Sequence, residues 1–287
     1  MTGFGARAWL DRIMAGRVPQ PGRLSLTPML SPKGRVVGDF SVARLAPERF
    51  LVLGADYMQS AFQRHFDRCL PRDGVAVRNV SADLAGLHIC GPNAQALMVR
   101  IAQHDMDTGS FPFMSAAEMA IGPVSGVITL RVSFTGETGY EMYLPNRKQA
   151  ALFDLLRAEG RDLGLGLVGT RSLMQTRLEK SFPAWGLELT PDYFAHECGM
   201  DRHINMDKPG FVGRDAYTYG IVDHGAGEAL AGKVGHQRLV GALAPTDDVT
   251  PVQGVWEAES KLKEAMHAPP THTGMRADAV LDGFAGG

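Results

Sequence analysis

Three stretches of the sequence carry acidic or phenolic side chains that local structure alone does not require. In "VVGDFSV", Asp39 falls in mid-strand, where carboxylates are depleted. Alternation puts Val36, Gly38, Phe40 and Val42 on one face and Val37, Asp39 and Ser41 on the other. Gly38 removes a side chain at a point where another group can come close. If the Asp39 face meets bulk water, the residue is an ordinary surface charge; if it lines a cleft, it can serve as acid, base or electrostatic anchor. In "TRLEKSFPAWG", Glu179 sits near a helix C-terminus, where an exposed carboxylate opposes the macrodipole by roughly 0.3–1 kcal/mol. A salt bridge to Arg177 or Lys180, plain solvation, or service to a ligand would each account for it. In "VSFTGETGYEMYLP", read as strand, tight turn and strand, Gly136 and Gly139 already supply the positive φ that the turn needs. Glu137, Tyr140 and Glu141 are then unexplained. Glu141 alternates onto the same face as Tyr143, which sets a carboxylate beside a phenol on either a wet sheet face or a binding wall. Trp185, just before Gly186, is either a core aromatic or a stacking plate.

The elements that must hold these residues follow from periodicity. "GARAWLDRIMAG" predicts a short amphipathic helix stopped by Gly16 and Pro19. "LSLTPML" and "RVVGDFSVARL" around "SPKG" predict a hairpin, and "RFLVLGA" a third strand. "YMQSAFQRHFDRCL" puts Phe62 and Phe66 on one helical face. "VAVRNVSADLAGLHICGP" predicts two strands and "NAQALMVRIAQ" a helix. The hairpin, the helix "RKQAALFDLLRAEGRDLG" and a helix from Thr170 or Ser172 to a stop at Pro183 follow. This order predicts an α+β arrangement with helices on one side of the sheets, and disfavours a doubly wound parallel sheet. From about Val222 the glycine-rich, weakly periodic sequence predicts a poorly ordered tail.

Composition narrows the partners. At 287 residues, 45% hydrophobic and 21% charged, the chain can bury a substantial core. A net charge of -2 lacks the basic excess expected for nucleic acid or an anionic membrane surface, so small molecules are the expected partners. Cys69, Cys90 and Cys198 are scattered, without a CxxC pair, which fits neither a disulfide framework nor a zinc site. The nine histidines show no ligand spacing, so no metal is expected. No apolar run approaches the roughly 20 residues that span a bilayer, and the start lacks the apolar core of a secretory signal. A cytoplasmic location is the expectation.

Four ordered blocks then carry a resemblance: "TPMLSPKGRVVGDFSVARL", "FTGETGYEMYLP", "GTRSLMQTRLEKSFPAWGLELTPDY" and "HECGMDRHINMDKPGFVGRDAY". They resemble the aminomethyltransferase family, the T-protein of the glycine cleavage system and its relatives. The wording of "LTPML", "RLEK", "AWG" and "DKPGFVGRDA" is similar to the folate-binding C-terminal half of dimethylglycine and sarcosine dehydrogenases. The resemblance, from about residue 5 to about residue 220, implies a cloverleaf of α+β subdomains around a central tetrahydrofolate channel. It implies that Asp39 is the catalytic aspartate and that Glu179 pairs with the pterin. Phe134, Glu137, Tyr140, Glu141, Trp185 and Arg214 are implied as cofactor-binding. A buried carboxylate suits a pterin's amidine-like N–H edge, which it can pair bidentately.

Departures from the family pattern temper these expectations. The chain starts too late for the strand-rich segment that precedes the first helix in relatives, and the glycine-rich C-terminal pattern is absent from residues 221–287. The expected domain is therefore 1–220, incomplete at both ends. No GxGxxG near the N-terminus marks a flavin domain, so a flavin-dehydrogenase subunit or a carrier protein would have to deliver the one-carbon unit. An enzyme making 5,10-methylenetetrahydrofolate from an amine-derived donor, a non-catalytic folate-binding protein and an inactive truncated fragment remain as function classes. "DKPGFVGRD" lacks the cysteine of the iron-sulfur-repair relatives, which argues against that non-catalytic kind.

Overall fold

A computed structural model describes residues 1–223. The expected tail lies outside the described residues, apart from the end of one helix. In chain order the elements are α1 (Ala6–Ile13), β1 (Arg23–Leu30), β2 (Val36–Ala46), β3 (Arg49–Leu53), α2 (Gln59–Cys69), β4 (Leu84–Cys90) and α3 (Ala94–Ile101). They continue with β5 (Ala116–Ile121), β6 (Val124–Leu130), β7 (Gly139–Pro145), α4 (Gln149–Glu159), α5 (Thr170–Glu179) and α6 (Arg214–Asp223). The strands form two antiparallel sheets, β1-β2-β3 and β4-β7-β6-β5. The fold is thus a mixture of helix and sheet without parallel pairing in either sheet, as the order of elements predicts.

Alternation along the strands builds the layers. On the outer face of the first sheet, Met29, Phe40, Val42 and Phe50 pack with Trp9, Leu10 and Ile13 of α1 and with Phe62 and Phe66 of α2. On the outer face of the second, Ile89, Met119, Val127, Tyr140, Met142 and Leu144 pack with Leu97 and Met98 of α3 and Leu152 and Leu156 of α4. The inner faces share a smaller core of Leu24, Ala43 and Leu51 against Ala116, Ile128 and Leu130. Each buried aliphatic side chain contributes about 1.5–3 kcal/mol relative to exposure. The sheets are stitched at one corner, where Leu24 N donates to Met114 O and Ala116 N to Gly22 O, both at 2.9 Å. Arg49 and Glu118 add an ion pair at 2.7 Å.

Four elements differ from expectation. The first strand expected in "VSFTGETGYEMYLP" is absent: β6 ends at Leu130, residues 131–138 form the connection to β7, and Gly136 but not Gly139 takes a positive φ there. "VAVRNV" is not a strand: Ala76 makes one two-sided bridge with Thr2, and the chain then turns at Val80. β5 is a strand that its alanines disguise, since alanine has low β propensity; burial of Met119 and Ile121 and pairing with β6 decide it. α5 ends at Glu179, before Pro183. Ser181 takes a left-handed φ of 55°, Ser181 N donates to Leu178 O, and Phe182 N donates to Arg177 O. Those two bonds satisfy the last carbonyls in a Schellman turn, so proline is not needed as the stop.

Candidate active site

Asp39 lies where its strand phase predicts, half-buried on the inner face of β2 between Val37 and Ser41, while Val36, Gly38, Phe40 and Val42 are buried on the outer face. That inner face continues into Ala43, part of the core between the sheets. Burial pushes the Asp39 carboxyl above its ordinary range, with only its own backbone opposing. No other described residue hydrogen-bonds its side chain, so its carboxylate keeps lone pairs with which to accept from a ligand. Gly38 reports something other than a cleft: a Cβ there would stand 2.6 Å from the Phe40 ring and 2.9 Å from the Phe62 ring, so the glycine admits outer-face packing.

On the facing sheet, Glu141 and Tyr143 share the inner face of β7. Glu141 is half-buried, its carboxyl is pushed up by burial, and it accepts a hydrogen bond from Tyr143 Oη at 2.8 Å. Burial and the Glu141 charge together drive the Tyr143 phenol far above its usual range. His88, directly opposite Glu141 in the β4–β7 ladder, has an exposed side chain whose imidazole pKa is nonetheless lowered by partial desolvation against the sheet. The sequence reading missed His88, although its alternation with Ile89 in "LHIC" puts it on the polar side.

A third side comes from the segment after α5. Arg177, 2% exposed, donates from Nη1 to Phe182 O at 2.8 Å and to Glu188 Oε2 at 2.9 Å. Glu188 also accepts from Ala184 N at 2.9 Å, and these bonds with Arg177 hold its pKa down against desolvation. This frame fixes Trp185, whose ring meets Phe62 edge-on at 6.0 Å; Phe62 in turn meets Phe40, the neighbour of Asp39, at 4.7 Å. At its other end the segment reaches the β6–β7 turn, where a Cβ on Gly136 (φ +73°) would stand 2.3 Å from Lys180 Cγ. Only glycine leaves room for that lysine. The residues from Arg177 to Glu188 therefore tie the Asp39 sheet to the Glu141 sheet.

Not every expected site residue faces this region. Tyr140 is fully buried on the outer face of β7, in the core with α3 and α4, and its hydroxyl has no hydrogen-bond partner. The strand alternation that turns Glu141 inward turns Tyr140 away. Trp185 is 8% exposed and belongs to the first core, so it is packing and not a stacking plate. Arg214, the first residue of α6, is spent on backbone carbonyls of Lys208 (2.8 Å), Pro209 (3.0 Å) and Met206 (2.9 Å) and holds that loop. Glu179 is exposed, where a buried carboxylate was expected, and Arg177 is paired with Glu188 instead. Glu137 is exposed in the hairpin turn and Phe134 is half-buried before it. Among the described residues no group of three or more metal-ligating side chains gathers, and no helix is long and apolar enough to cross a membrane.

Comparison with known proteins places this architecture. The family model described as "GCVT N-terminal domain" matches residues 1–208, and the chain belongs to that family. It is 31% identical over 252 residues to mitochondrial dimethylglycine dehydrogenase of Rattus norvegicus, a match covering 86% of this chain and 28% of that protein. It is 30% identical over 239 residues to an aminomethyltransferase of Bacillus licheniformis, covering 81% of this chain and 64% of that protein. The chain thus spans little more than a quarter of the dimethylglycine dehydrogenase it matches. The fold is that of the glycine cleavage system aminomethyltransferase T from Bartonella henselae: TM-score 0.66 at 20% identity, over 77% of this chain and 60% of that one.

Proposed function

We propose that the chain binds tetrahydrofolate between the two inner sheet faces and transfers to it a one-carbon unit from an amine-derived donor such as dimethylglycine or sarcosine. The product would be 5,10-methylenetetrahydrofolate. The observation that carries this reading is Asp39: a half-buried carboxylate with a raised pKa, no side-chain partner among the described residues, and a place on an inner sheet face. Family membership supports the same chemistry. The reading takes residues 1–220 as the folate domain, with subdomains set as a cloverleaf around a channel.

The donor set suits the group. A pterin presents adjacent N–H donors, which carboxylates accept in pairs; Glu141 and the rim residue Glu179 are the candidates. Phe134, half-buried ahead of the hairpin turn, is the apolar candidate of the same block. When bound, tetrahydrofolate supplies the nitrogens that accept the one-carbon unit. Asp39 holds a proton at a carboxylate oxygen, gives it to the hydroxyl or amine that departs from the one-carbon unit, stabilises the positive charge developing nearby once ionised, and takes a proton back when the transfer is complete. Such a group contributes about 10²- to 10⁴-fold in rate. Its raised pKa favours the work, because the neutral form is reached nearer to working pH. Tyr143 holds Glu141 in one orientation, which fixes where a ligand N–H must point. Oxidation of the donor is assigned to a flavin-dependent partner, or delivery to a carrier protein.

The test is product formation under anaerobic conditions. Tetrahydrofolate is supplied with formaldehyde or, separately, with dimethylglycine and a flavin-dependent dehydrogenase, and methylenetetrahydrofolate is followed by coupled NADP reduction. The reading expects a rate above the uncatalysed condensation that disappears in Asp39→Ala. Folate binding without turnover would leave a binding protein, and a folded chain that binds no folate would overturn the reading.

A further inference from the structure

Tyr57 is 68% exposed, yet its ring is held at both ends. The β2–β3 ladder finishes with Leu53 opposite Ser41, so two more pairs would set residue 55 level with Asp39. The chain instead leaves the ladder at Gly54 and enters a 3₁₀ turn over Asp56–Met58, which carries Tyr57 close enough to Asp39 to feel its charge. The phenol hydroxyl donates to Trp185 O at 2.5 Å. Trp185 is itself immobilised by Phe62 and by the Arg177–Glu188 frame. Gly186 makes the approach possible: its φ is +79°, and a Cβ would stand 2.5 Å from the Tyr57 hydroxyl.

An ordinary surface tyrosine rotates freely and loses that freedom when it binds. Here the backbone turn fixes one end of the ring and a main-chain carbonyl the other, with most of the side chain left open. Partial desolvation of the pinned hydroxyl and the Asp39 charge both push the phenol pKa upward, although the ring is exposed, so it stays a neutral donor close to that carboxylate. A rigid, exposed aromatic next to an unpartnered acid matches a planar heterocycle with polar edges, since ring stacking tolerates any π-face and rigidity cuts the ordering cost.

We propose that Tyr57 is the plate against which this chain seats the planar ring of its ligand, pinned by the Trp185 carbonyl and admitted by Gly186. The proposal deepens the folate reading and rests on it. Anaerobic calorimetric titration with tetrahydrofolate tests it on wild type, Tyr57→Ala, Tyr57→Phe, Gly186→Ala and the Tyr57→Ala/Gly186→Ala pair, with melting curves to show that each is folded. Tyr57→Ala is expected to weaken binding about tenfold or more, and Tyr57→Phe only about two- to threefold. Gly186→Ala should weaken wild type but add nothing in the Tyr57→Ala background. Wild-type affinity in Tyr57→Ala, or equal losses in Tyr57→Phe and Tyr57→Ala, would overturn the plate and leave the folate reading standing. A folded wild type that takes up no tetrahydrofolate would remove both.

Discussion

Asp39 and Glu141 are both half-buried carboxylates on inner sheet faces, both with pKa values raised by burial, yet their surroundings differ. Glu141 accepts a hydrogen bond from Tyr143 and stands opposite His88, while Asp39 makes no side-chain hydrogen bond among the described residues. A carboxylate with its partner built in is a fixed feature of the wall. One without a partner carries an unmet demand that a ligand or a proton must satisfy, and such strain is characteristic of working groups. The difference separates the residue that acts from the residue that shapes.

The comparison breaks most visibly in catalysis. Asp39→Ala should lower the rate of methylene transfer by about 10²- to 10⁴-fold, whereas Glu141→Gln, measured in the same coupled assay, should lose about tenfold or less. Equal losses would mean that the partnered carboxylate is as chemical as the free one. Next in size is Tyr143→Phe, which leaves Glu141 without its donor at a cost of about 1–2 kcal/mol in urea unfolding. Because the Tyr143 bond lowers the Glu141 pKa, its loss should raise that pKa further, as carboxyl carbon NMR titration would show.

Asp39→Asn should have the opposite sign. The folded-state pKa of Asp39 lies above 3.8, so the native protein holds this proton more tightly than the unfolded chain. That share of stability is present at low pH and is lost as pH rises through the raised value. Asparagine cannot ionise, so the variant should be more stable than wild type at neutral pH by about 1 kcal/mol. The gap should close as pH falls toward the ordinary carboxylate value, and thermal melts at pH 7 and near pH 4 would read it. The smallest effect belongs to Tyr140→Phe. Removing a buried hydroxyl that has no partner should be neutral or stabilising by about 0.5 kcal/mol. Folate affinity should not change.

Strand alternation made half of this legible in the sequence: it put Asp39 opposite Phe40 and Glu141 beside Tyr143, as the structure has them. It also contains the argument against Tyr140, since adjacent residues of a strand cannot face the same side, but membership of one sequence block obscured it. Trp185 and Arg214 are illegible in the sequence for another reason. Which surface an aromatic covers, or which carbonyls a guanidinium reaches, depends on residues distant in sequence: Phe62 for Trp185, and the loop at Met206 folded back onto Arg214. Gly38 signalled a close approach correctly, but the approaching groups are the Phe40 and Phe62 rings on the opposite face. Tyr57 was invisible because no periodicity marks a turn residue whose importance lies in one bond across the chain to Trp185.

The central claim, that the unpartnered carboxylate between the sheets is a ligand site, is tested most directly by calorimetric titration of wild type and Asp39→Ala with tetrahydrofolate under anaerobic conditions. Micromolar binding by wild type, about -8 kcal/mol, with a clear loss in Asp39→Ala, is the predicted result. Identical affinities for the two proteins would contradict the claim.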